Sequence, residues 1–122
     1  MAKAQRTQAL RAVAASLLTA GCLAFAGTPA LAGEEVTVSI QDYRYHPTEL
    51  TVVAGTTVRW TNDERRTSHD VYFPDEDLGS PRLFPEESWS RRFDRPGEYR
   101  YYCRPHENHD SMHAIVSVVP AK

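Results

Sequence analysis

Hydrophobic and polar residues alternate at a period of two along most of the chain after residue 34, as they do in β-strands with one buried face. In the first of these segments Val36, Val38 and Ile40 share one face. The segments with this character are EEVTVSI, TELTVVA, TTVRWTN, HDVYF, SWSRRF, GEYRYYC and AIVSVV. None of them shows a helical period, and the pattern predicts an all-β Greek-key sandwich of about seven to eight strands.

Glycine and proline mark the connections between these strands. Gly55 separates two β-branched runs, and RPG precedes the GEYRYYC segment. The longest connection, PDEDLGSPRLFPEE, contains three prolines and one glycine, which makes it too broken for a long helix. We therefore expect a polar, turn-rich connection between the HDVYF and SWSRRF strands.

The first 32 residues have the pattern of an export signal. A basic segment without acids is followed by a short apolar run, residues 13–25, and by small residues at Ala30 and Ala32. Cleavage after Ala32 would leave one domain, residues 33–122, in the periplasm or otherwise exported. The apolar run is shorter than the roughly 20 residues of a spanning helix, so we expect no membrane span in the mature form.

Cys22 offers an alternative to this cleavage. A lipoprotein signal also ends in small residues followed by a cysteine, usually with leucine three positions ahead. Here Thr19 occupies that position, Leu18 comes one place too early, and the apolar run continues through Phe25. We favour the exported form without a lipid, and anchoring through Cys22 remains the alternative.

The charge balance excludes one class of partner. The chain has 14 Lys plus Arg against 16 Asp plus Glu, a formal charge of −2, and loss of residues 1–32 changes this charge to −5 because it removes three bases and no acid. Such a chain lacks the basic surface that meets phosphates, so we expect no nucleic-acid partner. Loss of residues 1–32 also leaves Cys103 as a single cysteine, which cannot form an internal disulfide.

The segment YYCRPHENHDSMH concentrates sulfur and imidazole side chains in the loop between the last two predicted strands. Cys103 and Met112 stand at the two ends of this loop, and His106 lies three residues after the cysteine. His69 follows an earlier polar loop, and a sandwich gathers such strand ends at one pole. A thiolate, two imidazoles and a thioether that converge there form the ligand set of a blue-copper electron-transfer site.

Four segments carry a resemblance to a known family: HPTELTVVAGTTVRWTN, SHDV, FDRPGEYRYYCRPH and MHAIVSVV. With them the chain resembles the small type 1 (blue) copper proteins, the cupredoxins of the plastocyanin, amicyanin and pseudoazurin type. The resemblance covers nearly all of residues 33–122 and implies one copper that cycles between Cu(I) and Cu(II). It also implies that His69, Cys103 and His106 are the in-plane ligands and that Met112 is the axial ligand.

The chain departs from the family pattern in two places. Five residues separate His106 from Met112, and loops of this family are more often shorter. The extra length could lengthen or tilt the axial bond, or let His109 or Glu107 compete for the axial position. Asp70 stands where the family often has an asparagine that ties the ligand loops together, and its charge could lower the reduction potential.

The function that these residues predict is that of a mobile carrier of single electrons rather than an enzyme. No nucleophile elbow, phosphate loop or zincin motif occurs in the sequence. One alternative is a copper protein for tolerance or delivery, favoured by three further histidines, His46, His109 and His113. Others are a redox enzyme with an open copper position, if Met112 is not bound, and a structural zinc site with the same ligands.

An acidic group in the long connection suggests the kind of partner. Asp75, Glu76 and Asp77 are followed further on by Glu86 and Glu87. We expect a monomer that forms a transient complex with a redox partner, such as a basic cytochrome, steered by these acids. The alternative is that the acids only keep the protein soluble.

Overall fold

The computed structural model of the chain describes residues 33–122. These residues form a sandwich of two β-sheets. The export signal predicted for residues 1–32, including Cys22, lies outside the described residues. The part of the chain that the structure describes contains no helix with the length and hydrophobicity needed to cross a bilayer.

Nine strands make up this region. They are β1 (Glu35–Gln41), β2 (Arg44–His46), β3 (Glu49–Val53), β4 (Thr56–Asn62), β5 (Tyr72–Phe73), β6 (Leu78–Gly79), β7 (Ser88–Phe93), β8 (Gly97–Tyr102) and β9 (His113–Val119). Single 3₁₀ turns occupy Arg104–His106 and Asp110–Met112, between β8 and β9.

The two sheets contain both parallel and antiparallel pairs. One sheet has the strand order β2-β1-β4-β7 and the other β3-β9-β8-β5-β6. The parallel pairs are β1 with β4 and β3 with β9, and the remaining neighbours are antiparallel. Since β8 and β9 are the central strands of the second sheet, the loop that joins them is held on both sides by paired backbone.

The predicted sandwich is confirmed, and all seven predicted strands are present. The structure adds two short strands, β2 and β6, so that nine strands exceed the expected seven to eight. Strand β2 follows a two-residue turn in which Asp42 and Tyr43 both have positive φ, 54° and 53°. This geometry belongs to a type I′ hairpin turn, which more often has glycine or asparagine, and so the sequence carried no signal for it.

Aromatic side chains fill the space between the sheets. Trp60 is fully buried, and its ring centroid lies 5.4 Å from that of Tyr101 and 6.0 Å from that of Phe73. Phe93 packs on Phe73 at 5.9 Å. The predicted alternation of HDVYF is confirmed on this face, because Val71 and Phe73 are both buried. These rings form a continuous aromatic core, and the loop between β8 and β9 lies at one pole of the sandwich.

Candidate metal centre

The four predicted ligands lie at that pole. Cys103 follows β8 directly and is fully buried, and His106 ends the first 3₁₀ turn and is half-buried. His69 is fully buried and lies in the loop before β5, where its backbone forms an isolated bridge with Leu83. Met112 is fully buried and ends the second 3₁₀ turn, one residue before β9.

Three of these side chains direct donor atoms at one another. His69 Nδ1 lies 3.2 Å from His106 Nδ1 and 3.7 Å from Cys103 Sγ. His106 Nδ1 lies 3.3 Å from the same sulfur. Among residues 33–122, His69, Cys103 and His106 form the one group of His, Cys, Asp or Glu donors that could hold a metal ion, with all three donor atoms within 4.8 Å of one another.

The protonation chemistry of this donor set fits a cation of soft or borderline character. Burial holds the pKa values of His69 and His106 below their usual value, so both imidazoles are neutral and can offer a lone pair. Burial raises the pKa of the Cys103 thiol to about 11. A thiolate at this depth therefore needs a compensating cation, and thiolate with two imidazoles suits copper or zinc.

Backbone hydrogen bonds of the ligand loop recur at intervals of three residues. His106 N–H donates to Cys103 C=O (3.0 Å), His109 N–H to His106 C=O (2.9 Å), and Met112 N–H to His109 C=O (2.8 Å). Cys103 N–H then donates to Met112 C=O at 3.1 Å, which closes the ring of hydrogen bonds. The long spacing that departs from the family pattern is thus taken up as two turns, and both ends of the loop remain fixed.

This loop conformation separates Met112 from its two predicted competitors. Met112 is 0 % exposed and lies at the pole of the buried core. His109 and Glu107 are exposed, and neither belongs to the cluster of donor atoms. The burial of Met112 supports its assignment as the fourth ligand, which stays a prediction.

A carboxylate holds the outer edge of His69. Glu64 Oε1 lies 3.1 Å from His69 Nε2 and also accepts the backbone N–H of Tyr43 at 2.9 Å. Glu64 itself is fixed because its backbone N–H donates to Asn62 Oδ1 at 3.0 Å. Since Nδ1 of His69 faces the other donors, Nε2 is the nitrogen that carries the proton, and Glu64 determines both this tautomer and the ring orientation.

Tyr43 covers the two histidines from outside. Its ring meets His69 edge-on at a centroid distance of 5.4 Å and His106 at 5.0 Å, and the ring of His109 lies 5.7 Å away. The tyrosine is itself 38 % exposed. The positive φ of Tyr43 places backbone strain at this pole, where it aims the ring over the donor atoms.

Asp70 ties the two ligand segments together. Asp70 Oδ1 accepts the backbone N–H of Arg104 at 2.8 Å, and Asp70 Oδ2 accepts the Arg104 Nε–H at 2.6 Å. The backbone N–H of Asp70 donates to Cys103 Sγ at 3.4 Å. The buried carboxylate therefore does not stand alone beside the site, because the guanidinium of Arg104 balances its charge.

Three residues with a role at this pole were not identified from the sequence. Glu64 and Tyr43 lie in polar loops whose approach to His69 depends on the fold, and no spacing rule connects them to it. Arg104 had an available signal, since an arginine next to the ligand cysteine is a natural partner for an aspartate next to the ligand histidine.

The remaining histidines do not build a second site within residues 33–122. His46 Nε2 lies 3.0 Å from the carbonyl of Gln41, and His113 Nε2 lies 2.7 Å from the carbonyl of Glu107. His109 and His113 are both exposed. Among the described residues, the three histidines that favoured a copper-tolerance or delivery role thus form no second metal-binding group.

A small β-sandwich with a thiol and two imidazoles converging at one pole defines a mononuclear metal protein. The family model of the cupredoxin-like domain matches residues 12–116, and the chain belongs to this family. The predicted resemblance is confirmed.

Curated relatives include amicyanins and plastocyanins. The chain is 35 % identical over 74 residues to amicyanin-alpha of Methylorubrum extorquens, a match covering 57 % of this chain and 61 % of that protein. It is 30 % identical over 122 residues to the chloroplastic plastocyanin of Physcomitrium patens, with 91 % of this chain and 68 % of the relative covered.

Solved structures of similar fold include amicyanins and a nitrite reductase. A mutant amicyanin in a Cu(I) form matches with a TM-score of 0.64 and 31 % identity, over 70 % of this chain and 82 % of that chain. A copper-containing nitrite reductase from Thermus scotoductus matches with a TM-score of 0.63 and 28 % identity. That match covers 72 % of this chain and 23 % of the enzyme.

Proposed function

We propose that the protein is an electron carrier that binds one copper ion at His69, Cys103, His106 and Met112. The observation that carries the proposal is the convergence of two neutral imidazole nitrogens and one buried sulfur within 4.8 Å at a single pole. Bound copper would supply a one-electron couple between Cu(I) and Cu(II) and strong thiolate-to-metal colour.

The protein contributes a set of donor atoms whose positions are fixed by hydrogen bonds even without the metal. The ring of backbone hydrogen bonds through the ligand loop fixes Cys103 and His106, and Glu64 fixes His69. The Asp70 carboxylate links the two ligand segments. Rigid donors change little between oxidation states, which is what rapid outer-sphere transfer of one electron requires.

His106 is the ligand through which we expect electrons to pass to a partner. It is half-buried, whereas His69 and Cys103 are fully buried. Tyr43 and the exposed Pro105 adjoin it and offer a contact surface of low charge. We propose a transient complex that closes over this surface with a basic redox partner, steered by Asp75, Glu76 and Asp77.

An enzyme with an open copper position is the second candidate, because a nitrite reductase shares the fold. The complete burial of Met112 supports a closed fourth position and therefore the carrier. A test is whether the copper-loaded protein turns over nitrite with a chemical reductant. Turnover would favour the enzyme, and its absence together with a reversible redox couple would favour the carrier.

We further propose that residues 1–32 are removed on export and that residues 33–122 act as a monomer in the periplasm or an equivalent compartment. Mass spectrometry of the secreted protein tests the cleavage after Ala32. A mature mass that begins at Cys22 with an added lipid would instead establish the anchored form.

The assignment is tested by the visible spectrum of copper-loaded protein, with Cys103→Ser as the decisive variant. The wild type should show an intense thiolate charge-transfer band, and the variant should lose the band while keeping its β-sheet circular dichroism. A variant that keeps the band would overturn the assignment of Cys103. Zinc-loaded protein serves as the colourless control for a folded, occupied site.

A further inference from the structure

Of the four predicted copper ligands, one has a surface that solvent reaches. His69, Cys103 and Met112 are fully buried. His106 is half-buried. Glu64 binds the outer ring nitrogen of His69, Nε2, at 3.1 Å, which closes the approach along that edge of the imidazole. A metal ion that arrives from solution therefore meets His106 before it meets the other three ligands.

A further imidazole, that of His109, lies beside this accessible ligand. His109 is exposed, and its ring centroid lies 5.9 Å from that of His106. Its backbone N–H donates to the His106 carbonyl at 2.9 Å, so the hydrogen bonds that fix the ligand loop also fix the backbone of His109. The ring of Tyr43 lies 5.7 Å from that of His109 and 5.0 Å from that of His106. The three rings thus form one group on the solvent side of the metal centre.

The imidazole of His109 is available to bind an ion. Neither of its ring nitrogens takes part in a hydrogen bond or an ion pair within residues 33–122. The two other exposed histidines are engaged, because Nε2 of His46 lies 3.0 Å from the Gln41 carbonyl and Nε2 of His113 lies 2.7 Å from the Glu107 carbonyl. Neutral imidazole is the commonest side-chain ligand of metals, and it suits copper. His109 is therefore the exposed histidine of the described region whose two ring nitrogens are both free.

A single imidazole outside the site affects the rate of metal binding and not the final position of the ion. His109 supplies one donor, whereas the buried site supplies a thiolate and two imidazoles within 4.8 Å of one another. An ion bound by His109 therefore moves on to the site with more donors. An ion held next to a site has a high effective concentration there, on the order of millimolar for closely linked groups. Capture by His109 would thus accelerate the filling of the site when copper in solution is scarce.

We propose that His109 is the entry ligand of the metal centre, the residue that captures a copper ion from solution and passes it to the inner donors around Cys103. The inference rests on the proposed copper site of the carrier, since it concerns how that site is filled. His109 gives up its bond to the ion as the inner donors form theirs. Burial raises the pKa of the Cys103 thiol to about 11, so this thiol is protonated in the metal-free protein and releases its proton to water during the transfer. The oxidation state of the ion does not change in this step.

The rate at which the metal-free protein develops its thiolate charge-transfer band after mixing with Cu(II) tests the proposal. His109→Gln should slow this rate roughly tenfold at micromolar copper, because no ion is then held beside the site. The final band should equal that of the wild type, since His109 is not a ligand of the filled site. The matched control is His113→Gln, which removes an exposed imidazole next to the same loop and keeps a side-chain donor for the Glu107 carbonyl. This control should load at the wild-type rate.

A second readout locates the captured ion without using the colour of the site. In the zinc-loaded protein the inner donors are occupied, and substoichiometric paramagnetic Cu(II) should broaden the ring-proton resonances of His109 before those of His46 and His113. Equal loading rates for wild type and His109→Gln, an equal slowing in His113→Gln, or broadening that begins at His46 or His113 would overturn the entry role. A wild type that never develops the band would instead refute the proposed copper site, and the broadening titration would still report on His109.

Discussion

At the scale of single residues, Glu64 is the side chain that most directly controls a ligand without being one. It fixes the proton of His69 on Nε2 and adds a negative charge at the edge of the imidazole. A carboxylate in this position makes the imidazole a stronger donor and favours the higher oxidation state of the metal. The site is therefore tuned from the β1–β2 and β4–β5 connections as well as from the ligand loop.

We predict that Glu64→Gln raises the reduction potential, because it removes the charge but keeps a hydrogen-bond acceptor for His69. Glu64→Ala removes both and should weaken copper binding by about 10- to 100-fold. Cyclic voltammetry and competition with a copper chelator measure the two effects. Equal potentials for wild type and Glu64→Gln would show that the carboxylate does not tune the site.

The ligands of the site could be predicted from the sequence, but the residues that contact them from outside could not. Cys103, His106 and His69 could be identified from the sequence because their residue types and their positions at the ends of predicted strands are typical of metal ligands. Tyr43 carries no such signal, since a strained two-residue turn brings it to His69 and non-glycine residues with positive φ are rarely evident from sequence. Glu64 lies in the β4–β5 connection, where no pattern marks it as a partner of His69. Their positions follow from the fold and not from local pattern.

At the scale of elements, the Asp70–Arg104 pair joins the loop before β5 to the start of the ligand loop. Asp70 is almost fully buried in its side chain (5 % exposed), whereas Arg104 is 47 % exposed. The arginine also reaches the Ser80 carbonyl at 3.0 Å and lies over the ring of Tyr72 at 4.7 Å. Loss of the cation would thus leave a buried carboxylate without its partner.

We predict that Arg104→Ala lowers the free energy of unfolding of the metal-free protein by about 1–3 kcal/mol, because the charge of Asp70 is then uncompensated. Asp70→Asn should suppress much of this loss, and the double variant should show a coupling energy of about 0.5–3 kcal/mol. Urea unfolding of the four proteins measures the cycle. Additive effects would mean that the pair is only a surface contact.

The ligand loop is the element in which an unusual spacing has a visible structural consequence. Its three-residue repeat places His109 outward and Met112 inward. The sequence predicted a loop here but not its 3₁₀ turns, because turns of a single hydrogen bond have no periodic pattern to detect. The same limit applies to β6, which contains only Leu78–Gly79.

We predict that deletion of Asn108, an exposed residue of this loop, changes the copper geometry by breaking the repeat between His106 and Met112. The five-residue spacing of the wild type should give a greener, more tetragonal site than the shortened loop. Electron paramagnetic resonance of both Cu(II) proteins compares them. Identical axial and rhombic parameters would show that loop length does not tune the site.

At the scale of the whole molecule, charge is distributed unevenly around the sandwich. The loop 75–77, which joins β5 to β6, carries three consecutive acids, whereas the connection between β4 and β5 carries the exposed Arg65 and Arg66. Two acids of the loop are held in place, since Glu76 binds Arg91 with both oxygens at 2.7 and 2.9 Å and the Tyr72 hydroxyl donates to Asp77 at 2.8 Å. The formal net charge calculated from the sequence adds the charges of all these regions and gives no information on where each charge lies.

The acids of loop 75–77 should raise the rate at which a basic partner associates with the protein. Changing Asp75, Glu76 and Asp77 to Asn, Gln and Asn should lower the rate of electron transfer to a basic cytochrome by roughly tenfold at low salt. Pairing does not remove this effect, because a neutral amide in place of the Glu76 carboxylate would leave the Arg91 cation uncompensated. The effect should fade as added salt shortens the Debye length to about 8 Å.

A matched control separates steering by this loop from a general effect of net charge. Glu34, Asp94 and Glu98 are exposed acids at or next to strand ends of the opposite pole, and their change to Gln, Asn and Gln alters the formal charge by the same amount. Stopped-flow rates over a series of ionic strengths compare both triple variants with the wild type. If the loop variant keeps the wild-type rate and salt slope, or if the control variant matches its loss, the acids of loop 75–77 do not steer the partner and act only in solubility.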